Sequence, residues 1–334
     1  MTLSRAAASA FLLKLALAGA ALAGLGQVVA WNALAEAAGA ASVGWAAAAL
    51  ALLPLNVGLE AYRFHRLLRA SGQPSSPFYD VVAAVVGAYP LGLLTPGRLG
   101  DYAGRAIYLR GVPPSATTAL TFAERTATLA CCLAFGVAAL PFWLSQPGVH
   151  AAWAWLLPIG GAGALALGTI VLHPRLAERL LGAILPFRGL APAVAALGSI
   201  PAREARVLLG LSALRYAVFT TQFVLLVRAF APEAAWEVTE WAAAVGGVAL
   251  VFFAKSAVPG VTLGDLGVRE GAAVYFLAAF GGAAAFNASL GLFAINLLLP
   301  ALAGLPMVAR LRVGATPAPR AAAKVAAARR QASS

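Results

Sequence analysis

The sequence has little charge, few acidic residues and almost no cysteine. Charged residues make up 11% of its 334 positions, against roughly 25% in soluble domains, whereas 61% are hydrophobic. This composition excludes a soluble domain, whose surface needs more charge, and a disordered chain, which needs fewer apolar residues. The two cysteines, Cys131 and Cys132, are adjacent in an apolar run, which argues against a disulfide framework. The composition therefore predicts a protein whose surface is mostly covered by a lipid bilayer.

Motifs for catalysis, metals and nucleotides are also absent. The three histidines show no metal-ligand spacing, and no Walker motif, Rossmann fingerprint or Ser/His/Asp arrangement occurs. We therefore predict no catalytic residue, no metal and no cofactor. A net charge of +12 would suggest nucleic acid as the partner of a soluble protein. In a membrane protein it is typical of basic cytoplasmic loops, so we expect no nucleic-acid partner.

Long apolar runs stand in place of the missing charge. A helix needs about 20 apolar residues to cross the hydrocarbon core of a bilayer. Six segments reach this length, namely 9–31, 41–62, 115–140, 151–172, 207–230 and 284–309. Two further apolar segments, 79–110 and 239–281, are each broken by a Pro-Gly pair that is followed by charged residues. We predict that these two segments do not simply cross the membrane.

The two broken segments share the pattern Leu-Gly-Asp-x-x-x-Arg, preceded in each by Pro-Gly. The copies are Pro96, Gly97, Asp101 and Arg105 in the first segment, and Pro259, Gly260, Asp265 and Arg269 in the second. An offset close to half the chain favours an internal duplication, with coincidence as the alternative. We therefore predict two repeat halves, 1–150 and 151–310, followed by a basic disordered cytoplasmic tail over 311–334.

The basic residues predict the topology. The N-terminus and the connections 63–78 and 173–206 are basic, whereas 32–40 and 231–240 contain Glu and neither Lys nor Arg. Basic connections lie in the cytoplasm. The basic and the Glu-containing connections fall on opposite sides of the membrane only if each broken segment enters the membrane and returns to the side from which it came. We predict an all-α polytopic protein of the cell (cytoplasmic) membrane, with both termini cytoplasmic. It would have six full transmembrane helices, two re-entrant helical hairpins and an inverted-topology repeat; eight or ten full crossings are the alternative.

Charged residues inside the apolar segments are candidate substrate-binding residues. A charge at the centre of a bilayer costs at least ~2.5–3.5 kcal/mol, so each needs a partner or a ligand. The candidates are Arg98, Asp101, Arg105, Glu124, Arg125, Arg215, Lys255, Arg269 and Glu270. The helix breaks at 96–97 and 259–260 would start half-helices whose amides attract anions. The structural alternatives are a kinked, packed bundle and buried ion pairs that fix the hairpins.

Helical spacing predicts specific partners for some of these residues. Asp101 and Arg105 are four residues apart, so we expect an ion pair between them. Glu124 and Arg125 point about 100° apart and need other partners. We expect Glu124 to face Arg98 or Arg105 and Arg125 to face Asp101. The glycines of the Gly-x-x-x-Gly pattern at 100–104 predict close packing of the half-helix on a neighbour.

Several motifs resemble the transmembrane region of the lysylphosphatidylglycerol synthase/flippase family. The resemblance is carried by residues 62–68, by 96–101 with Arg105, by Glu124-Arg125 and by 267–272, and it covers nearly the whole chain. In the family, Glu more often stands at the position of Asp101, which keeps the charge. Gly usually stands at that of Asp265, so the Asp/Arg pair is not a feature that the family shares in both halves.

The resemblance implies a membrane-embedded lipid flippase with two hairpins around a central cavity. Its expected partners are membrane lipids with anionic head groups: a phospholipid, an aminoacyl-phospholipid or a polyprenyl-phosphate-linked lipid. Lipid-synthesis enzymes and a homo-oligomer are further candidates. In the best-known members this region is fused to an aminoacyl-lipid synthase domain, which we do not expect in the 23 residues after Leu311. The alternatives are a lipid-modifying transferase that uses Asp101, Glu124 and Glu270, and a non-transporting subunit of a lipid or glycolipid synthesis complex.

Overall fold

The computed structural model describes residues 31–74, 76–109, 111–184, 191–234, 236–258 and 266–309, and over these residues it contains helices and no strand. The α-helices are α1 (Trp31–Gly39), α2 (Val43–Ala51), α3 (Leu53–Ala70), α4 (Phe78–Leu94), α5 (Leu99–Tyr108), α6 (Pro114–Leu144), α7 (Leu156–Leu172), α8 (Pro174–Ile184), α9 (Ala191–Gly198), α10 (Ala202–Phe230), α11 (Val238–Ala257), α12 (Val268–Phe276), α13 (Gly282–Phe293) and α14 (Leu299–Ala309). A π-helical turn, Ala294–Leu298, joins α13 to α14. The all-α prediction is confirmed for the described residues.

Six helical stretches are long and apolar enough to cross a bilayer: Val43–Ala70, Pro114–Leu144, Ala151–Leu172, Ala202–Phe230, Val238–Ala257 and Gly282–Val308. Five of them correspond to predicted spans. The remaining predicted span, 9–31, lies outside the described residues except for Trp31. The sequence assigns Val238–Ala257 to a re-entrant segment, yet its 20 residues correspond to about 30 Å of helix, which matches the hydrocarbon thickness.

The first broken segment folds back on itself as a helical hairpin. Helix α4 ends at Leu94, the chain turns over Pro96–Arg98, and α5 runs back along α4. Gly97 and Arg98 both take positive φ values, 56° and 58°, which allow this sharp reversal. With 10 residues, α5 is about 15 Å long, about half the thickness of the hydrocarbon core.

Glycines let the two arms of this hairpin approach closely. A Cβ atom added to Gly100 would lie 2.0 Å from the carbonyl oxygen of Leu91, and one added to Gly104 would lie 2.8 Å from the Cα atom of Ala88. At both positions an added Cβ atom would overlap with backbone atoms of α4, so neither position has space for a side chain. The close packing predicted for the two glycines is confirmed.

The second broken segment also pairs a long helix with a short one. Helix α11 has 20 residues and α12 has 9. A Cβ atom on Gly247 of α11 would lie 2.9 Å from the carbonyl oxygen of Phe276, so the two helices are in close contact. The predicted break at Pro259 and Gly260, and Asp265 after it, lie outside the described residues.

The second spans of the two predicted halves run antiparallel. Near one end, the Ser42 N–H donates to the carbonyl oxygen of Ala229 at 2.8 Å. Near the other, Arg66 of α3 forms a bidentate ion pair with Glu204 of α10. Corresponding helices run in opposite directions when one half of a membrane protein is inverted relative to the other.

The long helix of each broken segment packs on the last predicted span of the other half. A Cβ atom on Gly304 of α14 would lie 2.3 Å from the carbonyl oxygen of Val86 on α4. A Cβ atom on Gly136 of α6 would lie 2.3 Å from the Cβ atom of Phe253 on α11. This exchange of contacts is the one that a two-fold relation between the halves would produce.

The apolar core has two main parts. One is built around Phe64, Leu67 and Leu120, and the other around Phe223 and Val251. Along α6 the first cluster extends to residue 127 and the second begins at 131; along α10 the corresponding residues are 208 and 216. Arg215 of α10 therefore lies between the two clusters, and Glu124 and Arg125 of α6 lie within one helical turn of the last residue of the first cluster.

Candidate functional site

A network of buried ion pairs occupies the meeting point of the two cores. Arg105 of α5 is 1% exposed, and its guanidinium donates to the carboxylates of Glu60 on α3 and Glu124 on α6. Both carboxylates are 2% exposed. One arginine thus joins the short hairpin arm to two long helices, a geometry suited to its rigid fork of donors.

Glu60 has the most partners in this network. Arg215 of α10 lies 2.6 Å from its second carboxylate oxygen, and the Tyr89 hydroxyl donates to the same oxygen at 2.8 Å. The Nη2 atom of Arg125 lies 3.8 Å from its first oxygen. Glu60 therefore links both predicted halves.

Glu60 is not among the site residues predicted from the sequence, and Arg63 is predicted in a cytoplasmic connection. Arg63 is, however, 2% exposed and donates to the Ser212 hydroxyl at 2.6 Å, with its Nε 3.4 Å from Glu124. The prediction of a connection is wrong here because α3 continues to Ala70. A helical spacing of three and four residues places Glu60 and Arg63 on the same face as Asn56 and the buried Leu67. This pattern could have identified Glu60 and Arg63 as buried residues.

Asp101 does not pair with Arg105 as the helical spacing predicts. Its carboxylate instead contacts Arg98, at 2.9 Å, and Arg125. Arg105 faces the two acids of α3 and α6, which satisfy its donors better than one acid on its own helix. The expected pairing of Arg125 with Asp101 is confirmed, and so is that of Glu124 with Arg105.

A second, smaller cluster lies at the start of α12. Arg269 donates to Glu270 at 2.5 Å and to the Ser289 hydroxyl of α13 at 2.8 Å. Glu270 also accepts from the Gly267 N–H at 2.7 Å and so caps the helix. The first hairpin is similar, because the Gly100 N–H donates to the Thr95 hydroxyl at 2.6 Å. These amides at the helix starts therefore have protein acceptors.

A cavity of about 150 Å³ lies between the predicted halves. Its lining includes five of the candidate residues, which come from different helices and from the turn before α5: Arg98, Arg125, Arg215, Lys255 and Arg269. None of its lining residues in the described part of the chain is Asp or Glu. The other candidates, Asp101, Arg105, Glu124 and Glu270, belong to the ion pairs around the cavity.

Aromatic rings hold several of the cavity arginines. The guanidinium of Arg98 lies 5.2 Å from the centre of the Tyr89 ring, and that of Arg215 lies 4.8 Å from the Phe219 ring. Both rings also line the cavity. Stacking on a ring face fixes a guanidinium while leaving its N–H groups in plane for a ligand. The cavity lining therefore combines five basic side chains with aromatic rings that pack against two of them.

The sequence model described as the lysylphosphatidylglycerol synthase TM region matches residues 11–304. The chain belongs to this family. No curated protein and no solved structure shows a significant match. Membership of the lysylphosphatidylglycerol synthase TM-region family, together with six apolar helices, makes the chain a multi-pass membrane protein with a lipid-related role. The resemblance inferred from the motifs is confirmed.

In this family member, the pairing of Arg105 with Glu124 can be measured by a double-mutant cycle. We expect Arg105→Gln to lower the free energy of unfolding by roughly 3–5 kcal/mol, because it leaves two buried carboxylates without their shared cation. Adding Glu124→Gln should recover part of the loss, with a coupling energy of about 1–3 kcal/mol. Denaturant titration of the detergent-solubilised protein measures each value.

The matched control for this cycle is the more exposed pair Arg66 and Glu204, whose arginine side chain is 32% exposed. The same Gln substitutions there should give a coupling below about 1 kcal/mol. Equal coupling energies for the two pairs would contradict the central role of Arg105.

Proposed function

We propose that the protein is a lipid flippase that moves an anionic or phosphate-bearing lipid between the leaflets of the cytoplasmic membrane. The observation that carries the proposal is the cavity with five basic lining residues from both halves and no acid among its described lining residues. Positive charge in a bilayer is costly and usually marks a substrate or ion pathway. An anionic head group is the ligand that such a lining would stabilise.

The proposed mechanism requires the Pro-Gly segments to be re-entrant hairpins of an inverted-topology repeat. The short arm of the first hairpin, the antiparallel α3 and α10, and the reciprocal packing of hairpins on opposite halves support this arrangement. Both termini would then be cytoplasmic. Inverted repeats place the substrate site near the bilayer midplane, and rocking of one half against the other exposes it to either side.

The head group would pass through the cavity while the acyl or prenyl chains stay in the bilayer. Arg98 and Arg125 are the best placed to contact it, because their side chains are 25% and 29% exposed. Arg215 and Arg269 are more deeply buried and hold fixed positions against Glu60 and Glu270.

A lipid-modifying transferase has less support from the geometry. Its acid/base groups would be Asp101, Glu124 and Glu270, and each of these carboxylates is held by at least one arginine in the described network. A carboxylate whose oxygens already accept hydrogen bonds from arginine is less available to exchange a proton with a substrate.

A leaflet-specific reduction assay tests transport. Proteoliposomes containing fluorescent phosphatidylglycerol or phosphatidic acid would be treated with a membrane-impermeant reductant, and the rate of the second, slow phase gives the flip rate. We expect a rate at least 10-fold above that of empty liposomes. Arg98→Gln and Arg269→Gln should each reduce it by about 10-fold, the effect of losing one charge-assisted contact worth roughly 1.5 kcal/mol.

Arg66→Gln is the control, because it removes an arginine from an ion pair that does not line the cavity. Its flip rate should equal that of the unmodified protein. If neither anionic lipid moves faster than in empty liposomes, the flippase proposal fails. Reconstituted protein with native circular dichroism is required for either conclusion.

A further inference from the structure

The charged groups of the described ion-pair network are not balanced. Leaving Lys255 out of the count, the described network contains six arginines: Arg63, Arg98, Arg105, Arg125, Arg215 and Arg269. It contains four carboxylates: Glu60, Asp101, Glu124 and Glu270. Six positive and four negative charges leave an excess of two. Arginine keeps its proton at physiological pH, so deprotonation does not relieve such an excess.

We propose that the cavity takes a phosphate head group with two negative charges, a phosphomonoester or a diphosphate esterified at both ends, and rejects head groups that carry an ammonium group. This rests on the proposed function and names its substrate class. A dianion would neutralise the excess charge, whereas the single charge of a phosphodiester would cancel half of it. An aminoacylated head group would place a further cation beside five basic side chains, and no described lining residue is an acid that could pair with it.

The cavity also has the size and the donor groups for such a ligand. Protein cavities of about 150 Å³ can hold a molecule as large as benzene. This cavity has the same volume, so a phosphate group has enough space. Guanidinium groups bind phosphate through two parallel N–H···O bonds. Arg98 and Arg125 share one carboxylate, Asp101, so together they have donors left for a ligand.

Binding to the purified full chain tests the charge selectivity directly. The probes are dioleoyl phosphatidic acid at pH 8, where its phosphomonoester is a dianion, phosphatidylglycerol, lysylphosphatidylglycerol and inorganic phosphate, which is also a dianion at this pH. We expect phosphatidic acid to bind at least 10-fold more tightly than phosphatidylglycerol. Lysylphosphatidylglycerol should bind at least 10-fold more weakly than phosphatidylglycerol. Inorganic phosphate shows the contribution of a dianionic phosphate group without lipid chains.

The two phosphate probes distinguish the sources of the ligand. Binding of phosphatidic acid at least 10-fold more tightly than inorganic phosphate assigns the site to a lipid head group. Equal binding of both assigns it to the phosphate group alone, with the same charge selectivity. Arg98→Gln should weaken both by about 10-fold, while Arg66→Gln should change neither.

Two results would overturn this inference. One is equal affinity for phosphatidic acid and phosphatidylglycerol, and the other is preference for the lysylated lipid. Neither depends on transport, so the two proposals fail separately. Selective binding of phosphatidic acid without accelerated flip would refute the flippase proposal and support the dianion site. Rapid flip of phosphatidylglycerol with no preference for phosphatidic acid would do the reverse.

Discussion

Replacing Glu60 by Gln is expected to lower the free energy of unfolding by roughly 3–5 kcal/mol. The substitution keeps the size of the side chain and removes its charge. Arg105 would keep Glu124 as a partner, but Arg215 would lose its closest carboxylate and keep the carbonyl oxygen of Asn56 at 3.4 Å. An arginine left without its acid in a buried site costs far more than the lost hydrogen bond alone.

Glu204→Gln is the matched control for this substitution. Glu204 also pairs with an arginine, Arg66, but at a position where that arginine is 32% exposed to solvent. Its loss should cost less than about 1 kcal/mol. Denaturant titration of the detergent-solubilised protein, followed by tryptophan fluorescence, measures both values. A Glu60→Gln protein as stable as the Glu204→Gln protein would show that Glu60 does not organise the network.

Introducing a side chain at Gly100 should separate the two arms of the first hairpin. The Cβ atom of a Gly100→Val protein would lie 2.0 Å from the Leu91 carbonyl oxygen and 2.2 Å from its carbon. Backbone atoms cannot move aside as a side chain can, so we expect a loss of about 3 kcal/mol or more in stability. Arg98, the residue immediately before α5, would move with the displaced arm, so the proposed transport should also be lost.

Gly168→Val controls for the effect of valine in a membrane-spanning helix. A Cβ atom at Gly168 of α7 would have no other atom within 4 Å, so the same substitution should change stability by less than about 0.5 kcal/mol. Thermal unfolding and the lipid-reduction assay report the two properties separately. Wild-type stability of the Gly100→Val protein would show that the hairpin arms are not held in this close contact.

Much of the fold follows from local sequence. The length of the apolar runs predicts five spans, because crossing a bilayer imposes a minimum helix length. Pro96-Gly97 predicts the reversal of the first hairpin, because proline ends the preceding helix and glycine accepts the positive φ that the turn needs. Gly100 and Gly104 predict the close approach of its arms. Each of these features depends on neighbours within a few residues.

The ion-pair network depends instead on contacts across long stretches of chain. Glu60 lies near the end of a predicted span, where a charged residue is expected to reach the interface, and its partner Arg215 is 155 residues away. The spacing of four residues favours an ion pair between Asp101 and Arg105, because it contains information about one helix only. The two acids that Arg105 contacts come from α3 and α6, and their approach is set by the packing of three helices.

The shared carboxylate of Asp101 has a consequence for how a ligand could enter and leave. Asp101 is the internal counter-ion of both Arg98 and Arg125. An arriving anion can take over Arg98 while Asp101 keeps Arg125, and on departure Arg98 returns to the carboxylate. Under the proposed function, loading and unloading would then exchange one counter-ion of Arg98 for another, so this arginine would be paired with an acid both before and after the ligand binds.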